Sequence, residues 1–325
     1  MYNKIMKEEI LNFPKQFSYK PKVENAGKLK IRREFIVAGM GGSHLAADLL
    51  KTWRPDLPLI IHNDYGLPNL PKEKLKKSLI IANSYSGNTE ETLSAFRSAI
   101  KGNLPVIAVG TGGKLIAAAK GNEIPFIQTP VAHAEPRAAI GYNFVALLKA
   151  MNLGRNLREA SNLGKFLHPE KLEPVGRKLS REIGGKTLVA YSSERNRALA
   201  YNWKINMNET AKSPAFINVF PELNHNEMNA FARGTKKGSA NFYFLVLKGK
   251  SEQARIEKRM SILSEILSQR NWPVKEISLG DSDKLQDIFH SVLLSMWTSC
   301  FVAESRGEDP DQTPIIEEFK KRMAA

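Results

Sequence analysis

A chain of 325 residues, 42% hydrophobic and 25% charged, has room for two domains and the composition of an ordinary soluble globular protein, and no apolar run approaches the length of a membrane span. The formal net charge of +15 raises nucleic-acid binding, but the basic residues are scattered, with no basic-aromatic interleaving or recognition motif, so a field that gathers anionic metabolites is the cheaper explanation. Cys300 is the single cysteine, which excludes an internal disulfide, and the Met1-Tyr2-Asn3-Lys4 start lacks the apolar core of a signal peptide. These features predict a cytoplasmic protein that binds neither membrane nor nucleic acid.

The first half alternates short apolar runs with helical stretches. Strands are predicted near 34–39, 58–62, 78–83, 105–109 and 125–128, and helices near 43–53, 88–101, 112–119 and 138–151. Such alternation implies an α/β fold, a parallel β-sheet flanked by helices. Two strand-turn-helix joints carry the chemistry. Phe35-Ile36-Val37-Ala38 runs into Gly39-Met40-Gly41-Gly42-Ser43, and Leu79-Ile80-Ile81-Ala82 runs into Ser84-Tyr85-Ser86-Gly87-Asn88-Thr89-Glu90-Glu91-Thr92. Hydroxyls, glycines and unpaired backbone N–H groups at a helix start make a cradle for phosphate. The plainer alternative is that Thr89 and Thr92 simply cap a helix.

From Asn152 to Arg181 the sequence turns polar and helical, and the domain boundary is placed at its start, giving domains 1–152 and 153–325. The second half repeats the scheme, with strands at 187–191, 215–220, 242–247 and 274–279 and helices near 195–210, 226–232, 251–270 and 283–306. It reads as a diverged duplicate of the first. Its turn Ser192-Ser193-Glu194-Arg195-Asn196 has lost the glycines and threonine, so only the first copy is expected to hold phosphate. Gly185-Lys186-Thr187 is no nucleotide-binding loop, because Ser180 stands where the first glycine belongs and a strand follows.

Three polar segments of the second half depart from the core pattern: Asn206-Met207-Asn208-Glu209, Pro221-Glu222-Leu223-Asn224-His225-Asn226-Glu227, and Thr313 to Lys320. A carboxylate and an imidazole that converge on a phosphosugar can share acid-base work, and the same residues can equally be helix termini and surface polar groups. His225, Glu222 and Glu227 fit no compact metal-ligand spacing, so no metal is expected.

Gly39-Met40-Gly41-Gly42-Ser43, the Ser84 to Thr92 block, Glu135-Pro136-Arg137-Ala138-Ala139 and the Pro221 to Glu227 segment together resemble the bifunctional phosphoglucose/phosphomannose isomerases of the sugar isomerase (SIS) superfamily. The serine-rich block marks the superfamily; the Asn-His-Asn-Glu segment, 16 residues after Glu209, marks the isomerase branch. The resemblance implies two SIS domains, each an αβα sandwich, and a homodimer whose active site is shared between subunits. It implies a phosphosugar substrate and no cofactor. Ser43, Ser84, Ser86 and Thr89 match the phosphate-binding hydroxyls, with Gly41, Gly42 and Gly87 allowing close backbone approach. Glu209 matches the base that carries a proton between C1 and C2 through an enediol, His225 the ring-opening histidine contributed by the partner subunit, and Arg137 the cation beside the enediolate. Lys320 matches a lysine that assists ring opening. Thr313 matches a threonine found where glucose-only isomerases carry a bulkier glutamine. Two rivals remain: an aminosugar-phosphate isomerase or deaminase on the same scaffold, and a non-catalytic sugar-phosphate sensor that keeps the cradle without Glu209, Arg137 or His225.

Overall fold

The computed structural model describes residues 4–131, 135–236, 240–250, 252–280 and 284–324. It divides into two compact units, one of Asn12–Leu167 and one that starts at residue 168 and includes residues 4–11.

The first unit holds a parallel sheet of β1 (Glu34–Ala38), β2 (Leu59–His62), β3 (Ser78–Asn83), β4 (Val106–Gly110) and β5 (Phe126–Gln128), in the order β2-β1-β3-β4-β5. These strands are continuous apolar runs because helices cover both faces. On one face Ile36, Ile80, Ala82 and Ala108 pack with Leu93, Phe96 and Leu115. Trp53 and Phe144, from the helices Gly42–Trp53 and Ile140–Ala150, meet with ring centroids 5.9 Å apart. Helix Glu90–Lys101 opens with Glu90 and Glu91 and closes with Lys101, matching its dipole at both ends.

The second unit holds β6 (Thr187–Ser193), β7 (Ala215–Phe220), β8 (Phe242–Lys248) and β9 (Val274–Ser278), all parallel, in the order β7-β6-β8-β9. In each sheet the first strand lies between the second and third, with the fourth beyond, so the duplication read from the sequence is a duplication of topology. The helices Pro169–Ile183 and Lys284–Arg306 pack so closely that a Cβ on Gly176 would sit 2.6 Å from that of Trp297. Cys300 is fully buried in the second of these helices, and burial pushes its thiol up to about 12, a structural thiol and no nucleophile.

Several details differ from the sequence reading. The compact units meet at 167/168 rather than 152/153, because helix Gly154–Leu163 buries Ala160 and Leu163 and packs beside Ile140–Ala150. The helix expected over 195–210 is α-helical only over Arg197–Ile205, and Asn206–Thr210 widens into a π turn. The helix expected near 226–232 is a single turn, Leu223–Asn226, followed by a 3₁₀ turn at Met228–Phe231. Helices Lys4–Asn12, Lys72–Lys77 and Pro314–Ala324 were not delimited from sequence. No helix of the described residues is long and apolar enough to cross a membrane.

Candidate active site

In the first unit, the turns after β1 and β3 lie side by side because those strands are neighbours. Ser43, buried in the first turn of helix Gly42–Trp53, accepts the Tyr85 N–H on its Oγ at 3.0 Å, and its carbonyl accepts from Asn83 Nδ2 at 2.7 Å. Within the second turn the Ser84 and Thr89 hydroxyls are 2.8 Å apart, Ser84 Oγ accepts the Gly87 N–H at 3.1 Å, and Ser86 Oγ accepts the Asn88 N–H at 3.2 Å. Thr89 stands at the N-cap of helix Glu90–Lys101 without a side-chain bond to that helix, and Gly41 at the head of Gly42–Trp53 has no side chain to make one. The capping alternative therefore fails for Thr89. Two helix starts with positive dipole ends share this ground with four hydroxyls, which suits a dianionic phosphate.

Glycine is required here by close approach. A Cβ on Gly87, whose φ is +70°, would fall 1.9 Å from the Gly112 carbonyl oxygen. A Cβ on Gly42 would press the Arg137 backbone at 3.3 Å, so the Arg137 turn lies directly against the first helix start. Arg137 is 1% exposed and has Glu135 at 4.0 Å. Gln16 secures this turn: its Nε2 donates to the Ala138 carbonyl at 2.6 Å and its Oε1 accepts the Gly141 N–H at 2.9 Å. Sequence reasoning missed Gln16, whose partners lie more than 120 residues away. It also missed Asn88 Oδ1, which accepts the Lys114 N–H at 3.0 Å, although the Gly112-Gly113 pair beside it was a visible signal.

In the second unit, Glu209 sits half-buried in the π turn, where the Ala211 N–H reaches back five residues to the Asn206 carbonyl at 3.2 Å. Such widened turns recur at functional sites because they re-aim a side chain within a packed helix. Asn206 anchors the turn, donating to Ser295 Oγ at 3.0 Å and the Asn202 carbonyl at 3.1 Å. Lys212 donates to the carbonyls of Thr210 and Asp309, tying the π turn to the loop that leads to Thr313. Thr313 is buried, and its carbonyl accepts the Glu317 N–H at 3.1 Å as the terminal helix begins. Lys320, on that helix, is exposed and paired with Glu317 at 2.6 Å.

His225 is exposed on the single turn Leu223–Asn226, and its imidazole has no hydrogen bond among the described residues. Its neighbour Glu227 is held by the Tyr191 hydroxyl at 2.5 Å and by Asn218 Nδ2. Burial, and then the Glu227 carboxylate, raise the Tyr191 phenol well above its ordinary range, so it stays a proton donor. Sequence reasoning missed Tyr191 and Asn218. Among the described residues no three His, Cys, Asp or Glu side chains gather as a metal-ligand set.

Residues 174–323 match the family described as the bacterial phospho-glucose isomerase C-terminal SIS domain. A bifunctional phosphoglucose/phosphomannose isomerase of Caldicellulosiruptor bescii is 31% identical over 341 residues, covering 98% of this chain and 99% of the relative. One of the same name from Thermoplasma volcanium is 31% identical over 320 residues, with coverage of 98% and 99%. Among solved structures, glucosamine-6-phosphate deaminase of Thermotoga maritima superposes with a TM-score of 0.68 at 16% identity, covering 96% of this chain and 98% of that one. That likeness establishes the fold.

Proposed function

The chain belongs to the bifunctional phosphoglucose/phosphomannose isomerase family, and from that premise we propose that it reversibly isomerises fructose 6-phosphate to glucose 6-phosphate and mannose 6-phosphate, as a cytoplasmic homodimer. The observation that carries the reading is the Ser84–Thr89 turn, whose hydroxyls bond one another while the helix behind them starts without a side-chain cap. That arrangement serves a phosphate better than it serves the helix.

In this reading Ser43, Ser84, Ser86 and Thr89, with the backbone at Gly41, Gly42 and Gly87, hold the phosphate and so fix the reacting carbons. Ring opening moves the proton of the anomeric hydroxyl to the ring oxygen as the ring C–O bond breaks, with His225 and Lys320 as the groups that exchange it. Glu209 then takes a proton from C1 of the open ketose, forming a cis-enediol, and returns it to C2, while the O1 hydroxyl proton passes to O2, so that C1 becomes the aldehyde and C2 the carbinol. Delivery to one face or the other yields the glucose or the mannose product, and the small Thr313 side chain leaves room for both. The Arg137 guanidinium stabilises the enediolate, a charge that exists only during reaction and is therefore where a fixed cation accelerates most. Proton transfer of this kind requires no metal and no organic cofactor.

Two features support a dimer in which His225 of one copy serves the other copy's site. The imidazole is exposed and has no hydrogen bond among the described residues, and the terminal helix leaves Ile315, 81% exposed, Phe319, 62% exposed, and Met323 uncovered. The test is a coupled assay of chelator-treated protein on fructose 6-phosphate, reading the two aldose phosphates separately, beside the Glu209→Gln variant. Both products are expected, and Glu209→Gln is expected to bind fructose 6-phosphate while losing about 10³-fold in turnover. Neither product, with fructose 6-phosphate still bound, would favour the sensor or the aminosugar reading, and undiminished turnover would remove Glu209 from the mechanism.

A further inference from the structure

The segment that presents His225 is too short to hold itself. A four-residue helix has almost no internal hydrogen bonds to repay the entropy of ordering it, so its orientation must come from what it is tied to. Leu223 anchors it in the core with Phe220, Tyr191 and Phe244. Arg259 Nη1, from helix Ala254–Gln269, donates at 3.2 Å to Oδ1 of Asn224, the residue before His225. Two residues after His225 stands Glu227.

Tyr191 and Asn218 are register partners on β6 and β7, so their side chains leave the sheet together. Both end on the Glu227 carboxylate, the Tyr191 hydroxyl on Oε1 and the Asn218 amide on Oε2. The amide cannot turn over freely, because Asn218 Oδ1 accepts the Val219 N–H at 2.8 Å. A carboxylate fixed by two donors from two adjacent strands is a rigid mount, since hydrogen bonds to an ionised acceptor are short and strong.

We propose that Glu227, held by Tyr191 and Asn218, is the positioning residue that fixes the His225 imidazole for proton exchange at the ring oxygen. The inference rests on the ring-opening role given to His225. Glu227 does not touch the substrate; it acts through the turn that carries the histidine, where a displacement near 1 Å is enough to cost rate.

The test is steady-state kinetics on fructose 6-phosphate for His225→Asn, Glu227→Gln and the double variant. Glu227→Gln keeps the shape but replaces the carboxylate by a neutral amide, whose NH2 the Tyr191 hydroxyl can meet only by accepting instead of donating, so the mount is weakened. His225→Asn is expected to lower kcat about 10²-fold, and Glu227→Gln about 10-fold with KM within about twofold of the parent. The double variant should fall no lower than His225→Asn alone, because a positioning residue has nothing left to position. A purely structural Glu227 would instead lower the double variant by the product of the two losses, which overturns the proposal, as would a parental kcat for Glu227→Gln beside an impaired His225→Asn. A parental kcat for His225→Asn would overturn the ring-opening role and this inference together. Should Glu227→Gln fail to fold, Tyr191→Phe removes one contact with the ring retained and must show the same non-additivity with His225→Asn.

Discussion

In the first unit the turns after β1 and β3 meet where Ser43 Oγ accepts the Tyr85 N–H at 3.0 Å, and the Ser84 and Thr89 hydroxyls of the second turn bond one another at 2.8 Å, in front of two helix starts that lack side-chain caps. In the second unit the turns at the same two places, after β6 and β8, are joined by the chain's own acid. Glu252 Oε1 accepts from Ser193 Oγ at 2.6 Å and from Asn196 Nδ2 at 2.6 Å. Gly249 permits this, since a Cβ there would stand 2.8 Å from Asn196 Nδ2. One sheet order thus builds the same paired turns twice. Whether they serve an external anion depends on whether an internal carboxylate already satisfies their donors. In the second unit the polar segments that depart from the core pattern stand elsewhere, in the π turn at Glu209, the turn at His225 and the loop leading to Thr313.

This contrast can be broken from either side. The largest effect is expected from Gly87→Ala, whose new Cβ would collide with the Gly112 carbonyl and distort the turn. KM for fructose 6-phosphate should rise about 10²-fold, and a KM near the parent's would mean that this turn does not hold the phosphate. Ser84→Ala leaves the Thr89 hydroxyl and the Gly87 N–H without a partner on that side chain, and should raise KM about 10-fold with a smaller change in kcat. In the second unit Thr313→Gln should cut mannose 6-phosphate formation about 10-fold relative to glucose 6-phosphate, read as the product ratio. Equal loss of both products would detach Thr313 from sugar choice. The smallest catalytic effect belongs to Glu252→Gln, which weakens the closed pair of turns and should lower the melting temperature by about 2–4 °C while kcat/KM stays within about twofold of the parent. A raised KM in that variant would mean that the second pair of turns takes part in binding substrate.

Much of this fold is written in local patterns. The runs Phe35 to Ala38, Leu79 to Ala82 and Phe242 to Leu247 are apolar without alternation, and a strand covered on both faces has no other composition available. Gly87 was legible as a turn glycine, while its positive φ and the Gly112 carbonyl against it, which together only glycine tolerates, belong to the folded turn. The π turn was not legible, since Asn206-Met207-Asn208-Glu209 continues the helical spacing and its fifth-residue hydrogen bond is stabilised by Ser295 from a distant helix. Helix Gly154–Leu163 was assigned to the wrong side of a linker for a related reason. Its polar surface marks a break in composition, while its few buried residues, Ala160 and Leu163, are what attach it to the first unit.

The sequence by itself determined the alternation of strands and helices, the placing of hydroxyls and glycines at two helix mouths, and the family to which the chain belongs. These follow from periodicity, backbone sterics and residue order, which act over a few positions. Only the tertiary structure decided that Thr89 turns from its helix to Ser84, that Gln16 secures the Arg137 turn, that Glu252 closes the second pair of turns, and that Tyr191 and Asn218 join at Glu227. Each of those hangs on a hydrogen bond whose direction is set by strand register and packing, and neither quantity has a signature in the order of neighbouring residues.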